Sequence, residues 1–275
     1  AVYRVSRDID MAIHDCTKEG MDYGKASIDG ISHYAVEAAI LKVYGSEALD
    51  YVVDEAVQIL GGMGYSSETL VEKGYRDSRI NRIFEGTNEI NRMLVVDTAM
   101  KRAMKGDFDL FGEAQKVTDS LKSLKSSDKK NEEYFAEKKA YIKNFKKAIL
   151  VTINKASEKF QRKLAFEQEI LFSISDMIMS LYVSESTLLR VEKLTGMKGA
   201  DNTKIYKDIL DVNIYDAANK IKKSGLDAVN SFSEGEDLNS LTKGINIFTE
   251  VAGVNVKEAR RRIADKLIDD NKYSF

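Results

Sequence analysis

Proline is missing altogether from these 275 residues, where ordinary usage of ~5% would supply about fourteen. Proline does most damage inside helices, because it removes a backbone donor and its ring collides with the preceding turn. A chain that avoids it over this length is expected to be helical almost throughout. Tryptophan is absent too, and the single cysteine, Cys16, excludes an internal disulfide and suits a reducing compartment. The two histidines, His14 and His33, stand far apart without metal-ligand spacing, so no metal site is expected. No apolar run approaches the ~20 residues that span a bilayer, and no secretory leader opens the sequence. The expectation is a soluble, cytoplasmic protein. Forty-two basic and 44 acidic side chains leave a net charge of −2, which gives no general attraction for nucleic acid.

What is present is long helical periodicity. From Ile31 to Leu60, apolar and small residues recur at spacings of three and four: Tyr34, Ala35, Ala38, Leu41, Gly45, Ala48, Leu49, Val52, Ala56 and Leu60. That pattern predicts one long core helix. It stops at GGMGY, residues 61–65, where clustered glycines suit a tight backbone turn. Ser66 or Ser67 is the expected cap of the next helix, and Thr87 that of the one after. Polar, breaker-rich stretches between 106 and 130 read as a connector. Beyond it, Tyr134, Tyr141, Phe145, Ala148, Thr152 and Ala156 repeat at helical spacing, as do Ile170, Leu171, Ile174, Ile178, Leu181, Tyr182, Leu188 and Leu189. A further helix is expected over 203–231, with shorter ones after Glu236 and Asn255. The chain therefore divides into a helical territory over 1–105 and an antiparallel helical bundle over 131–275. It opens AVYRVSRDID, without Met and inside a helical pattern, which reads as the C-terminal part of a longer protein.

One block is unbalanced. Lys116 to Lys163 holds 14 basic and 6 acidic residues, a surplus of 8 positive charges. Such a block is either a solvated helical face or a surface that attracts anions, including peripheral contact with a membrane.

The chemistry concentrates in RIFEGTNEINR, residues 82–92. Glu85 lies where a helical pattern stops, between Phe84, expected to be buried, and Gly86, which lets a ligand approach the backbone. Thr87 then opens a helix whose first amides favour an anion. A half-desolvated carboxylate at such a junction becomes a better base near neutrality; an ordinary surface glutamate at a helix end is the competing reading. The glycine cluster 61–64 is no dinucleotide fingerprint, because it follows a helix and not a strand.

QILGGMGY (58–65), YRDSRI (75–80) and FEGTNEINR (84–92) together resemble the run that ends the catalytic portion of acyl-CoA dehydrogenases. The match covers about residues 1–105, and the following territory is similar in position, length and helicity to the additional C-terminal domain of the very-long-chain branch. The resemblance implies an all-α fold, the C-terminal bundle part of such an enzyme followed by a second antiparallel bundle. It implies that Glu85 is the catalytic base, taking the α-proton of a fatty acyl-CoA while hydride leaves the β-carbon for FAD. The Glu85 N–H and a flavin hydroxyl would bind the thioester oxygen. Gly86 matches a position against substrate; Gln58, Gly61 and Gly62 match backbone near the adenine and pyrophosphate half of FAD; Thr87, Asn88 and Glu89 match FAD contacts. Arg76, Asp77 and Arg79 are expected to brace the turn. The family's flavin pocket also uses an N-terminal helical domain and a β-domain, so the chain alone is expected to be inactive. The complete enzyme, a dimer or tetramer, would pass electrons to an electron-transfer flavoprotein. An acyl-CoA oxidase and a non-enzymatic helical interaction module stay open beside this reading.

Overall fold

The computed structural model describes residues 1–124 and 133–275; among them are eleven α-helices and no strand. The fold is all-α. No described helix is long and apolar enough to cross a membrane. Two compact units divide at the 105/106 bond, Ala1–Lys105 and Gly106–Phe275.

The first unit contains α1 (Val2–Lys18), α2 (Tyr23–His33), α3 (Ala35–Leu60), α4 (Leu70–Ile80) and α5 (Asn88–Lys105). Asp22 caps α2 through the Lys25 amide. Gly30 lets α2 press on α1, since a Cβ there would stand 2.8 Å from Ile13 Cγ1. The single helix expected from Ile31 is in fact two. Tyr34, at φ −100° and ψ 24°, separates α2 from α3, and its amide closes a tightened last turn on the Ile31 carbonyl. Arg102 of α5 donates to the freed His33 carbonyl, so the break is held by its neighbours.

The expected core face of α3 is also displaced. Ala39, Ile40, Val43 and Ser46 are the buried positions, whereas Leu49, Val52 and Leu60 are exposed. Apolar residues surround much of this helix, so a period of 3.6 fits more than one stripe, and contact with α4 and α5 selects among them. The next helix starts later than expected as well. Thr69, and neither Ser66 nor Ser67, caps α4 by accepting from the Glu72 amide. Thr69 and Glu72 have the spacing of a capping box, although the Glu72 carboxylate turns to Arg76 instead.

The second unit holds α6 (Leu110–Ser120), α7 (Tyr134–Phe160), α8 (Gln168–Lys198), α9 (Lys204–Phe232), α10 (Gly235–Phe248) and α11 (Val256–Asp270). Part of the segment 106–130, expected as a connector, is thus the packed helix α6. Asn154 of α7 donates to Gln115 and Thr118 on it at 3.2 and 3.1 Å. Residues 125–130 of that segment lie outside the described residues. The pairs Lys139–Glu192 and Lys146–Glu185 run α7 against α8 in opposite directions, and the contacts Thr195–Thr203 and Lys220–Asp176 do the same for α9 on α8. Asn255 caps α11 through the Glu258 amide. In α7 the core follows the periodicity, with Phe145, Ala148, Thr152 and Ala156 completely buried; in α8 Ile170, Leu171, Ile174 and Leu188 are buried as expected, but Leu189 is exposed and Met177, Met179 and Val183 are buried instead. Gly225 of α9 is tightly enclosed, with a Cβ meeting Met177 Cε at 3.1 Å and Ile245 Cδ1 at 3.3 Å.

A buried charge cluster ties α7 to α9. Lys138 contacts Asp211 at 2.9 Å and Glu137 at 3.1 Å, while Tyr134 donates to Asp211 at 3.0 Å. Burial pulls the Lys138 ammonium down, yet the two carboxylates override it and hold its pKa above the usual value. Burial, then Asp211, pushes the Tyr134 phenol up. Part of the surplus charge of the basic block is answered within this unit: Lys116, Lys138, Lys139 and Lys146 pair with Glu113, Asp211, Glu192 and Glu185, which lie outside the block.

Candidate active site

The turn between α4 and α5 carries the candidate base. The end of α4 tightens as the Ile83 and Phe84 amides both reach the Ile80 carbonyl. The next two residues are left-handed: Glu85 has φ 55° and Gly86 φ 76°. For glycine this costs little, but for glutamate it is an uncommon backbone state. Thr87 then caps α5, as expected, its hydroxyl accepting from the Ile90 amide at 3.3 Å and its carbonyl from the Asn91 amide at 3.0 Å. The amides of Glu85, Gly86 and Thr87 have no acceptor among the described residues. The base candidate therefore sits beside three consecutive free N–H groups at a helix N-terminus.

Glu85 and Gly86 are exposed, and Phe84 is 47% exposed rather than buried. Phe84 continues an apolar surface with Ile80, Ile83 and Ile90 that this unit leaves open. Burial within the unit does not desolvate the Glu85 carboxylate, contrary to expectation. Glu89, also exposed, lies in the first turn of α5. Its own backbone N–H, helped by the Thr87 hydroxyl, holds its carboxyl below the ordinary range.

Asn88 behaves differently from its neighbours. Its side chain points into the unit and is 2% exposed. Its Oδ1 accepts from Lys42 Nζ at 2.8 Å, and its Nδ2 donates to Ser46 Oγ at 3.0 Å and Glu47 Oε1 at 3.3 Å. Its amide closes on the Arg82 carbonyl at 3.1 Å. Asn88, expected as a cofactor contact, thus uses its side-chain amide as an internal tie of the turn. Thr87 and Glu89 remain on the accessible side.

The bracing residues are not those expected. Arg76 pairs with Glu72 within α4. The turn is held from α3, where Lys42, Ser46, Glu47 and Asp50 form one polar stripe. Lys42 Nζ also donates to the Gly86 carbonyl at 2.7 Å, Glu47 pairs with Arg92 at 2.8 Å, and Asp50 pairs with Arg82 at 3.0 Å. Asn91 Nδ2 is the second donor to the Gly86 carbonyl, at 2.9 Å. Polar residues recurring at i, i+4, i+5 and i+8 in an otherwise apolar helix were the available sequence signal.

At the end of α3, Gln58, Gly61 and Gly62 are exposed. Gly61, at φ 59° and ψ −143°, returns its amide to the Gln58 carbonyl and starts a short 3₁₀ turn through Tyr65. A Cβ on Gly61 or Gly62 would meet nothing within 4 Å, whereas on Gly64 it would meet the Val57 carbonyl oxygen at 2.8 Å. Gly64 thus closes the turn internally, and the other two leave a bare backbone edge open.

Two family models described as the acyl-CoA dehydrogenase C-terminal domain match the chain, one over residues 18–100 and another over 144–246. A probable acyl-CoA dehydrogenase of Bacillus subtilis (strain 168) is 35% identical over the whole chain. The very long-chain specific acyl-CoA dehydrogenase of rat mitochondria is 44% identical over 115 residues, 41% of this chain and 16% of that protein. A crystal structure of an acyl-CoA dehydrogenase complexed with FAD from Bacillus anthracis superposes with a TM-score of 0.93 at 37% identity, again covering all of this chain. The chain spans about half of these two bacterial relatives, 46% in each case. Matched in order by two C-terminal models of one family and aligned from end to end with its members, the chain belongs to the acyl-CoA dehydrogenase family and corresponds to its helical C-terminal portion.

Proposed function

We propose that this chain supplies the catalytic base and one edge of the flavin site of an FAD-dependent acyl-CoA dehydrogenase, which converts a fatty acyl-CoA to its trans-2-enoyl-CoA. The observation that carries the reading is the Glu85 turn. A carboxylate in a strained left-handed state is accessible, adjoins three unengaged amides and is tied to α3 by a dedicated set of polar side chains. Strain of this kind persists only where surrounding contacts enforce it, and it gathers at functional sites.

The residues present fit the edge of the flavin. The bare backbone at Gly61 and Gly62, with Gln58 beside it, admits a planar or pyrophosphate group without a side chain in the way, and the accessible Thr87 and Glu89 stand at the start of α5. FAD, when bound, accepts the hydride from the substrate β-carbon. Glu85 removes the proton from the α-carbon, so both hydrogens are accounted for and the α,β double bond forms. The Glu85 amide is free to donate to the thioester oxygen, which gains charge as the proton leaves. Gly86 keeps the space beside the carboxylate clear for the acyl chain. The chain by itself is inactive in this reading, because one loop and one turn cover little of a cofactor whose site normally buries most of the ligand. The complete protein is a homo-oligomer, dimer or tetramer, that passes its electrons to an electron-transfer flavoprotein.

Glu85→Gln in the complete protein is the test. It preserves size and most hydrogen bonding but removes the proton acceptor, so FAD should stay bound while acyl-CoA bleaches the flavin ~10²- to 10⁴-fold more slowly. Glu68→Gln serves as the control. Reduction within a few-fold of wild type in Glu85→Gln would place the base elsewhere.

A further inference from the structure

The Gly86 carbonyl oxygen accepts two side-chain hydrogen bonds, from Lys42 and Asn91. The two donors differ in what they fix. Asn91 lies in the first turns of α5, the helix that Glu85 and Gly86 lead into, and moves with the turn. Lys42 stands 44 residues away on α3 and ties the turn to a separate element.

Lys42 also differs from the charged residues around it. Glu47 pairs with Arg92 and Asp50 with Arg82. The Lys42 ammonium instead bonds two neutral oxygens, Gly86 O and Asn88 Oδ1, at 2.7 and 2.8 Å. Bonds from an ionised donor are shorter and stronger than neutral ones. Here they converge on the carbonyl of the residue that directly follows the base and on the side chain that anchors α5.

We propose that Lys42 is a positioning residue for the proton transfer: by gripping Gly86 O and Asn88 Oδ1 together, it fixes the left-handed turn and thereby the direction from which the Glu85 carboxylate meets the substrate. The proposal rests on the reading of Glu85 as the base. Released from Lys42, the Gly86 peptide keeps only a partner that moves with it, and the turn relaxes toward ordinary backbone geometry.

The test uses the complete protein, with flavin reduction by a saturating acyl-CoA followed in single turnover and each rate taken per bound FAD. Lys42→Met removes the charge and both bonds at nearly constant length. It should slow reduction about 10- to 100-fold, the scale of an ~1 Å misplacement of a catalytic group, while substrate affinity shifts less than about threefold, or ~0.65 kcal/mol. Lys42→Arg should recover part of the loss. In a Glu85→Gln background, Lys42→Met should cost nothing further, because Lys42 acts through that carboxylate. A lower melting temperature with an unchanged rate per flavin, or full additivity with Glu85→Gln, would make Lys42 a stabilising residue only and overturn the proposal. If Glu85→Gln itself keeps its rate, the reading of the base fails first, and that result is visible without Lys42. Should Lys42→Met not fold, Lys42→Gln, which removes the charge and shortens the reach to Gly86 O and Asn88 Oδ1, undergoes the same comparison: an undiminished rate per flavin would refute the clamp, and a loss that vanishes in the Glu85→Gln background would support it.

Discussion

The three glycines of GGMGY should respond to alanine in three different ways. At Gly64 the new Cβ would lie 2.8 Å from the Val57 carbonyl oxygen, 2.9 Å from Leu60 Cβ and 3.0 Å from Val57 Cα. Two of these are backbone atoms that cannot swing aside, so the substitution behaves as overpacking and costs about 1–3 kcal/mol. At Gly61 there is room, but φ 59° with ψ −143° is a region that essentially only glycine occupies, and alanine there costs about 1–3 kcal/mol as strain. Gly62 has neither obstacle. Its Cβ meets nothing within 4 Å and its φ is not in the left-handed region. Alanine there restricts the unfolded chain and should be neutral or stabilising by ~0.4–1 kcal/mol. Each kcal/mol shifts Tm by about 4–8 °C for a domain near 100 residues and by less for a longer protein, so the order of the three variants is read from side-by-side melts of the flavin-free complete protein. Flavin titration then separates fold from site. If the backbone of Gly62 faces the cofactor, the harmless methyl should weaken FAD binding about tenfold or more, equivalent to ~1.4 kcal/mol. A low Tm for Gly62→Ala would refute the open-edge geometry. Wild-type FAD affinity with wild-type stability would refute the cofactor assignment.

Other outcomes follow from the same structure. Asp211→Asn leaves the buried Lys138 with Glu137 alone; it should destabilise the second unit by about 3 kcal/mol, the low end for breaking a buried pair, as read by denaturant melts. Lys138 and Tyr134 both have raised folded pKa values, so each contributes stability that is complete below its unfolded pKa near ~10 and is lost as pH rises from there through the folded value. Alkaline titration should therefore unfold the second unit early, and Tyr134→Phe should remove the slowest-ionising phenol from the absorbance titration. Glu85→Gly relieves the left-handed glutamate and should raise stability by ~1 kcal/mol while abolishing flavin reduction; a lowered Tm would contradict the strain. Residues 106–275 expressed alone should melt cooperatively, whereas 1–105 alone should bind a hydrophobic dye, because 22 of the 28 large apolar side chains exposed among the described residues lie in the first unit.

Legibility in the sequence followed how completely each segment is packed within the chain. The second unit buries its helices on one another, and in α7 Phe145, Ala148, Thr152 and Ala156 fall inside as the period implies, whereas in α8, packed on more than one side, Met177 and Met179 are buried beside the expected stripe and Leu189 is exposed. The same period misassigned α3, where apolar residues occur on more than one side and several remain exposed. Turn chemistry was partly readable. Thr87 caps α5 as its position implied, but Thr69 was overlooked in favour of the serines before it, although its Glu72 partner stands three residues on. Nothing local to FEGTNEINR distinguishes Asn88, which turns inward, from Thr87 and Glu89, which do not. That difference depends on Lys42 and Ser46, more than forty residues away on α3.

The arrangement of Lys42, Ser46, Glu47 and Asp50 bears on why a base should be carried on a turn at all. A carboxylate within a helix inherits the rigidity of the helix but presents itself alongside a saturated backbone, with no amide to spare for the oxygen that gains charge. A turn frees those amides, as at Glu85, Gly86 and Thr87, yet loses rigidity, and the left-handed pair at its centre tends to relax. Polar ties from a neighbouring helix resolve the conflict. They supply directional contacts to single atoms, such as Gly86 O and Asn88 Oδ1, where apolar packing would have had to cover the very surface that the substrate needs. The α3 stripe accordingly lies beneath the turn and the apolar residues lie around it, so the carboxylate is held from behind and remains open in front.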